Sequence, residues 1–529
     1  MSQICTLSGL LADRAQRAGD ACAVIENGQR VSYKELNVLA DLAASWLASR
    51  GIGAGDRVAV WMVNRVEWLA LLFGACRLGA AVVAVNTRYR SAELQHILSG
   101  SGAKMLVLQS RFRKIDFLAL LAEVDAETVP ALETIVVADA GDIPANLLGK
   151  PVIPMQWPDT VSAAVVSAAK PDELAMLFTT SGTTKLPKLV MHSQKTLSLH
   201  GQNVAAAYGL EQAGASVLAA LPFCGVFGLV PVLAALSAGT TVVVMDAFDG
   251  TEAVNLIERY GVTHCFGSDE MFHRMLEVDS APAAFSSLRC CGFASFNASP
   301  EQLVKEAESR QLPLVGLYGS SEVQALFSLQ SAEKDPGSRV LGGGYPTSPA
   351  ARVRIRDVDS GELCGFGESG VIEIAAPTNF LGYLNAPEAT AEAVDQEGFF
   401  KTGDIGYLRE DGGFVYQSRQ GDAIRLAGFL VNPAEIEDVM CELPGVAEAQ
   451  VIGVDLAGEP ACVAFVIPES GVSLSEAGIL SQMESEVAKF KLPRRIWLVE
   501  RFPVTESANG TKVQRVQLRK MAAERLAES

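Results

Sequence analysis

The chain has 529 residues, 49% of them hydrophobic and 20% charged. That excludes a disordered protein and exceeds what one core holds, so two or more domains are expected. The formal net charge of −18 sets up a field that repels phosphate backbones and anionic lipid, which argues against nucleic acid and a membrane surface as partners.

Ten cysteines are scattered without a CxxC pair, and the five histidines form no HExxH or ligand cluster. The set reads as reduced, buried thiols of a cytoplasmic protein, with no disulfide frame and no dedicated transition-metal site. The opening MSQICTLSGLLADRAQRAGD has no basic lead and is charged by Asp13, unlike a secretory leader.

In chain order, RVAVWMV, AVVAV, KMLVLQS and ETIVVAD are short apolar runs, the first two separated by EWLALLFGACRLG at helical spacing. Strand-like runs between helices predict parallel sheets covered by helices. Gln212 to Met245 carries no charge, but Pro222, Gly225, Gly228, Pro231 and Gly239 break it. It is read as strand SVLAALP, loop FCGVFG, helix VPVLAALSAG and strand TTVVVM rather than as a transmembrane span, which needs about 20 apolar residues. After Gly342, ARVRIRD, GVIEIAA and GGFVYQS alternate with DSGE and EDGG turns, predicting antiparallel hairpins. From Ser418 onward PAEIEDVMCEL, AEAQVIGVD and PACVAFVIP return to a small α+β pattern. The predicted fold class is α/β. A large N-terminal domain, 1–417, has parallel-type sheets flanked by helices plus a β-rich subdomain, and a small α+β C-terminal domain spans 418–529.

The chemistry concentrates in LFTTSGTTKLPKLVMHSQ, Leu177 to Gln194. Thr180, Ser181, Gly182, Thr183 and Thr184 follow a strand-like run. Successive N–H groups in such a turn form an anion nest, the hydroxyls add donors, and Lys188 supplies a charge. The loop is not the nucleoside-triphosphatase G-x-x-x-x-G-K-[ST], because Pro187 precedes the lysine and a second glycine is missing.

This loop resembles the phosphate-binding motif of the adenylate-forming (ANL) superfamily, TSGTTGxPKG. Four further segments match in order: LYGSSE (Leu317 to Glu322), GYLNAPEATAEAV through TGD (Gly382 to Asp404), SRQGDAIRLAGFLVNPAEIE (Ser418 to Glu437) and ANGTKVQR (Ala508 to Arg515). The resemblance spans nearly the whole chain and points to the acyl-CoA synthetase type. It implies that Tyr318, beside Gly319, stacks on adenine, that Ser321 donates to the α-phosphate and that Glu322 holds Mg²⁺. Asp404 would accept the ribose hydroxyls and Arg419 would reach the ribose or phosphate. Lys512 would be the catalytic lysine, carried on a mobile C-terminal domain that swings about Gly421. Ala427 and Gly428 would line the coenzyme A path. Phe223, Val226, Phe227, Phe266 and Gly316 are candidate acyl-pocket liners, and Phe296 and Asn297 candidate adenine neighbours.

Several positions depart from the family pattern. Lys185 and Leu189 replace glycines of the loop, Gly225 stands where a histidine is common, and Gly421 where a charged hinge residue is usual. Thr511 adds one residue before Lys512. The implied activity is ATP-dependent activation of a medium- or long-chain fatty acid as acyl-AMP, followed by transfer to coenzyme A. A stand-alone enzyme loading an acyl or aryl group on a carrier protein, and a non-catalytic nucleotide-binding relative, are the alternatives.

Overall fold

The structure, a computed structural model, describes residues 4–139, 143–161, 169–180, 187–278, 283–294, 300–422, 424–426, 429–456, 459–484, 486–487, 491–507 and 510–527. Two large sheets carry the fold. In the nine-stranded sheet, Ala81–Ala84, Arg57–Trp61, Met105–Leu108 and Thr134–Val137 run parallel. β1 (Leu174–Thr179) joins this set parallel to Ala81–Ala84. β2 (Leu189–Ser193) folds back antiparallel, with Thr179 opposite Leu189, so the hydroxyl-rich loop connects the two strands of a hairpin. Ser193 then caps α1 (Gln194–Ala207), its Oγ accepting from Thr196 N at 3.1 Å, as an N-cap serine does.

The thirteen-stranded sheet is parallel through Cys22–Glu26, Thr241–Val244, Ser216–Ala219, His264–Ser268, Cys290–Ala294 and β3 (Leu314–Ser320). It becomes antiparallel at β4 (Gln324–Leu329), earlier than the expected point after Gly342. The reversal is local: Ser320 Oγ accepts from the N–H groups of Glu322 and Val323 at 3.2 and 3.3 Å. An apolar run such as ALFSL carries no mark of strand direction. Gly342–Pro346 and the hairpin of β5 (Phe400–Leu408) and β6 (Phe414–Arg419) continue the sheet.

The uncharged stretch forms the strands Ser216–Ala219 and Thr241–Val244 around α2 (Val226–Ala238). The helix starts four residues before the expected Val230 and holds Pro231 inside it. Its residues Val226 to Ser237 are all buried, so it is a core helix, hydrophobic all round. Among the described residues no helix is long and apolar enough to cross a membrane. The ten cysteines are all free.

β6 keeps Ser418 and Arg419 in the large sheet, opposite Ile405 and Asp404. Beyond it lie α3 (Pro433–Glu442), the strands Val446–Leu456, Glu459–Pro468 and Ile496–Leu498, the hairpin of β7 (Val504–Ser507) and β8 (Gly510–Val513), and α4 (Arg515–Ala527). These pack around cores of their own, one with Ile436, Met440, Val451 and Ala464, the other with Val463, Phe465, Phe502 and Leu518.

Candidate active site

The antiparallel pairing of β5 and β6 sets Asp404 opposite Arg419. Asp404 Oδ1 accepts from Arg419 Nη1 at 2.6 Å, and Oδ2 accepts from the Tyr318 hydroxyl at 2.5 Å. Arg419 Nη1 also donates to Thr402 O at 2.8 Å, and Asp404 N donates to Thr402 Oγ1 at 3.0 Å. The carboxyl is 5% exposed as a residue. Burial pushes it above its ordinary value, while Arg419 and Tyr318 pull the other way. For Arg419, burial works against the charge but the Asp404 carboxylate outweighs it, so the guanidinium holds its proton more tightly. Each carboxylate oxygen has a second lone pair. The anchored Asp404 can therefore still accept two further hydroxyls, as a vicinal diol would present.

Tyr318 lies two residues past the parallel pairing of β3, opposite Ser328 of the antiparallel β4. Burial, and then Asp404, push its hydroxyl well above the ordinary value, so it stays a donor. Its ring meets Phe414 edge-on at 5.4 Å and Tyr416 at 5.8 Å. Tyr416 was not anticipated as a site residue; the two-residue period of GGFVYQS puts it on the face of Phe414, which is the signal available. Gly319 is required by close approach, since a Cβ there would stand 2.6 Å from Ala325 Cα and Gln324 O.

At the foot of the hydroxyl-rich loop, Thr180 N donates to Lys188 O at 3.0 Å and Lys188 N donates to Thr180 Oγ1 at 3.1 Å. The Lys188 Nζ lies 4.6 Å from the Tyr383 ring centroid, and the Tyr383 hydroxyl donates to Glu322 Oε1 at 2.9 Å. His192 Nε2 lies 2.8 Å from Ser321 O. Burial pulls His192 down to about 4, so the ring is neutral and donates through Nε2 to the carbonyl. Tyr383 and His192 are further residues that the motifs alone did not single out.

Glu322 offers a hard carboxylate oxygen beside the loop lysine. Among the described residues no group of three His, Cys, Asp or Glu side chains could hold a metal ion. One carboxylate near a phosphate loop fits Mg²⁺, which binds through one or two carboxylates plus substrate phosphates and keeps several waters.

Ser181, Gly182, Thr183, Thr184 and Lys185 lie outside the described residues, as do Phe296, Asn297, Ala427 and Gly428. Lys512 sits on β8, paired with Thr505 of β7; its side chain is outside the described set. Gly421 is exposed, one residue past Gln420 in a turn where Asp422 N donates to Arg419 O at 2.8 Å. Arg519 of α4 donates to Gly421 O and to Asp422 Oδ1.

Phe223, Val226, Phe227 and Phe266 are buried. Phe266 meets Tyr208 edge-on at 5.3 Å. Gly316 has a packing reason: a Cβ there would come 2.3 Å from Leu341 O, so protein backbone fills its open side. Gly225 caps α2 without a side chain.

Residues 11–384 match the AMP-binding enzyme family. The chain belongs to that family. Residues 435–509 match the AMP-binding enzyme C-terminal domain. This AMP-binding enzyme is 32% identical to 3-[(3aS,4S,7aS)-7a-methyl-1,5-dioxo-octahydro-1H-inden-4-yl]propanoyl:CoA ligase of Mycobacterium tuberculosis, over 95% of this chain and 96% of that one. It is 30% identical to the fatty acid–[acyl-carrier-protein] ligase ScoC of Streptomyces coeruleorubidus, over 98% and 96%. Among solved structures it resembles O-succinylbenzoate CoA synthetase (MenE) of Bacillus subtilis in complex with ATP and magnesium ion. The TM-score is 0.78 at 26% identity, covering 96% of this chain and 98% of that one.

Proposed function

We propose that this AMP-binding enzyme is an ATP-dependent acid–thiol ligase that activates a carboxylic acid as acyl-AMP and passes it to coenzyme A. The observation that carries the reading is the run of contacts from Lys188 through Tyr383 to Glu322, four residues past the Tyr318 that donates to Asp404 and, through it, joins Arg419. A cation and a hard carboxylate suit the phosphates with their metal, and a buried carboxylate with free lone pairs suits a ribose diol.

The chemistry needs those parts. A carboxylate is a poor electrophile, because its leaving group would be oxide. Its oxygen attacks the α-phosphorus of ATP, the bond to the bridging oxygen breaks, and pyrophosphate leaves with the electron pair. Two anions approach in line, so positioning and charge stabilisation dominate. Asp404 and Arg419 orient the ribose, Tyr318 borders the base, and Thr180, Ser181, Thr183, Thr184 and Lys188 receive the phosphates. A magnesium ion held by Glu322 supplies charge neutralisation at the phosphate oxygens. Lys512 is the cation for the adenylating step. In the second half the coenzyme A thiolate attacks the acyl carbon and AMP leaves. The chain beyond Gly421 turns about it between the halves, opening a thiol path past Ala427 and Gly428, while Ser418 and Arg419 stay in the large sheet.

A medium- or long-chain fatty acid is the proposed acid, with Phe227 and Phe266, both apolar and buried, as candidate liners of its pocket. The ten free thiols support a reducing, cytoplasmic setting. The likeness to ScoC favours a second reading, in which a carrier protein is the acceptor. A pyrophosphate-release screen over straight-chain, fused-ring and aromatic acids tests the first half. Product analysis with coenzyme A or with a phosphopantetheinylated carrier tests the second. Acyl-CoA from a fatty acid is expected; no pyrophosphate release from any acid would overturn the ligase reading.

A further inference from the structure

The segment from Phe380 to Tyr383 holds Glu322 at two points. Phe380 N donates to Glu322 O at 2.8 Å, and the Tyr383 hydroxyl donates to Glu322 Oε1 at 2.9 Å. The same tyrosine meets the phosphate loop, because the Lys188 ammonium stands 4.6 Å from its ring centroid. One side chain thus touches the loop's cation with its π face and the carboxylate with its hydroxyl.

That side chain is itself fixed. The short strand Gly382–Tyr383 pairs antiparallel with β2, setting Tyr383 opposite Val190, two residues past Lys188. Tyr383 N donates to Thr390 Oγ1 at 2.9 Å, and the Phe380 ring packs edge-on at 5.0 Å. Gly382, at φ +133°, lets Thr390 come close; a Cβ there would lie 2.8 Å from Thr390 Cγ2. Tyr383 is 7% exposed. Its hydroxyl is the donor in the bond to Glu322, since the carboxylate oxygen accepts.

We infer that Tyr383 is a positioning residue for adenylation, holding the Glu322 carboxylate ready for the metal–phosphate group and tying it to the place of Lys188. The inference rests on Glu322 being the metal ligand. A carboxylate at a strand turn has several rotamers, and ordering it when ATP arrives costs affinity. The hydroxyl orders it beforehand with a charge-assisted hydrogen bond on one oxygen, leaving further lone pairs for a cation.

Tyr383→Phe removes one oxygen and leaves the ring under Lys188. Calorimetric titration with ATP, once with excess Mg²⁺ and once with EDTA, separates the two contacts. Affinity for Mg-ATP is expected to fall about tenfold, the size of a lost hydrogen bond to a charged group, while affinity for metal-free ATP stays within twofold. Equal weakening in both titrations, or none in either, would overturn the inference. Glu322→Gln is titrated in parallel. If it leaves the Mg²⁺ dependence intact, the metal reading itself fails. If it abolishes the dependence while Tyr383→Phe does not change it, only the role of Tyr383 fails.

Discussion

Arg515 forks onto Glu437, its Nη2 standing 2.7 Å from Oε1 and 2.8 Å from Oε2. Glu437 is 2% exposed and also accepts from Val451 N at 2.7 Å. Burial pushes its carboxyl up and Arg515 pulls it down. The pair ties α4 to α3 three residues beyond Lys512. Arg515→Ala would leave a buried carboxylate without its partner, a change that costs roughly 3–5 kcal/mol. Denaturant titration followed through Trp497, in the same small unit, should show that loss. Replacing both partners by methionine should recover most of it, because packed apolar groups often match a buried ion pair. An unchanged midpoint for Arg515→Ala would remove the pair from the stability argument.

Asp404→Ala takes away the acceptor that Tyr318 and Arg419 hold in place. The apparent ATP requirement should rise, and discrimination against 2′-deoxy-ATP should fall, because both nucleotides then lack the ribose contact. A variant with the wild-type preference for ATP over the deoxy nucleotide would show that Asp404 does not read the ribose.

His192 and His200 are both buried, and burial pulls each from 6.5 to about 4. The unfolded chain therefore binds more protons between those values. Stability is fully present above about pH 6.5 and is lost as pH falls toward 4, by on the order of 3 kcal/mol per ring at most. His192→Gln can keep a donor to Ser321 O but does not titrate. Its stability, measured by denaturant unfolding at stepped pH, should fall less steeply between pH 6.5 and 4 than that of the wild type. Parallel curves would mean that His192 does not titrate on unfolding.

Gly421 has open space around it and sits at the third position of the Arg419–Asp422 turn. Proline there would fix its own φ and force Gln420 away from the helical region, which that turn position resists. Gly421→Pro is expected to trap the C-terminal domain in one orientation. Single-turnover assays of acyl-AMP formation, and of thioester formation from supplied acyl-AMP, should then show one half-reaction collapsing while the other survives. A folded variant with both at wild-type rates would sink the hinge assignment.

The legible part of the site was its motif residues. Thr180, Lys188, Tyr318, Glu322, Asp404 and Arg419 stand in recognisable local patterns; Thr180 and Lys188 join Glu322 through Tyr383, and Tyr318, Asp404 and Arg419 form a second hydrogen-bonded group. Their partners were hidden by sequence distance. Tyr383 lies 61 residues from the Glu322 it bonds, and His192 lies 129 from Ser321. Nothing local in GYLNAPEA or VMHSQ marks those distant partners.

The sequence by itself determined the alternation of strands and helices, the order of the chemical motifs and the small α+β region after β6, because periodicity and turn chemistry are local. Only the tertiary structure decided where the large sheet reverses, since an apolar strand pairs equally well in either direction until its turn is built. It also decided that Val226 begins α2, which moves Pro231 from the helix's first turn to its interior. Burial on every side there outweighs the one hydrogen bond the proline gives up.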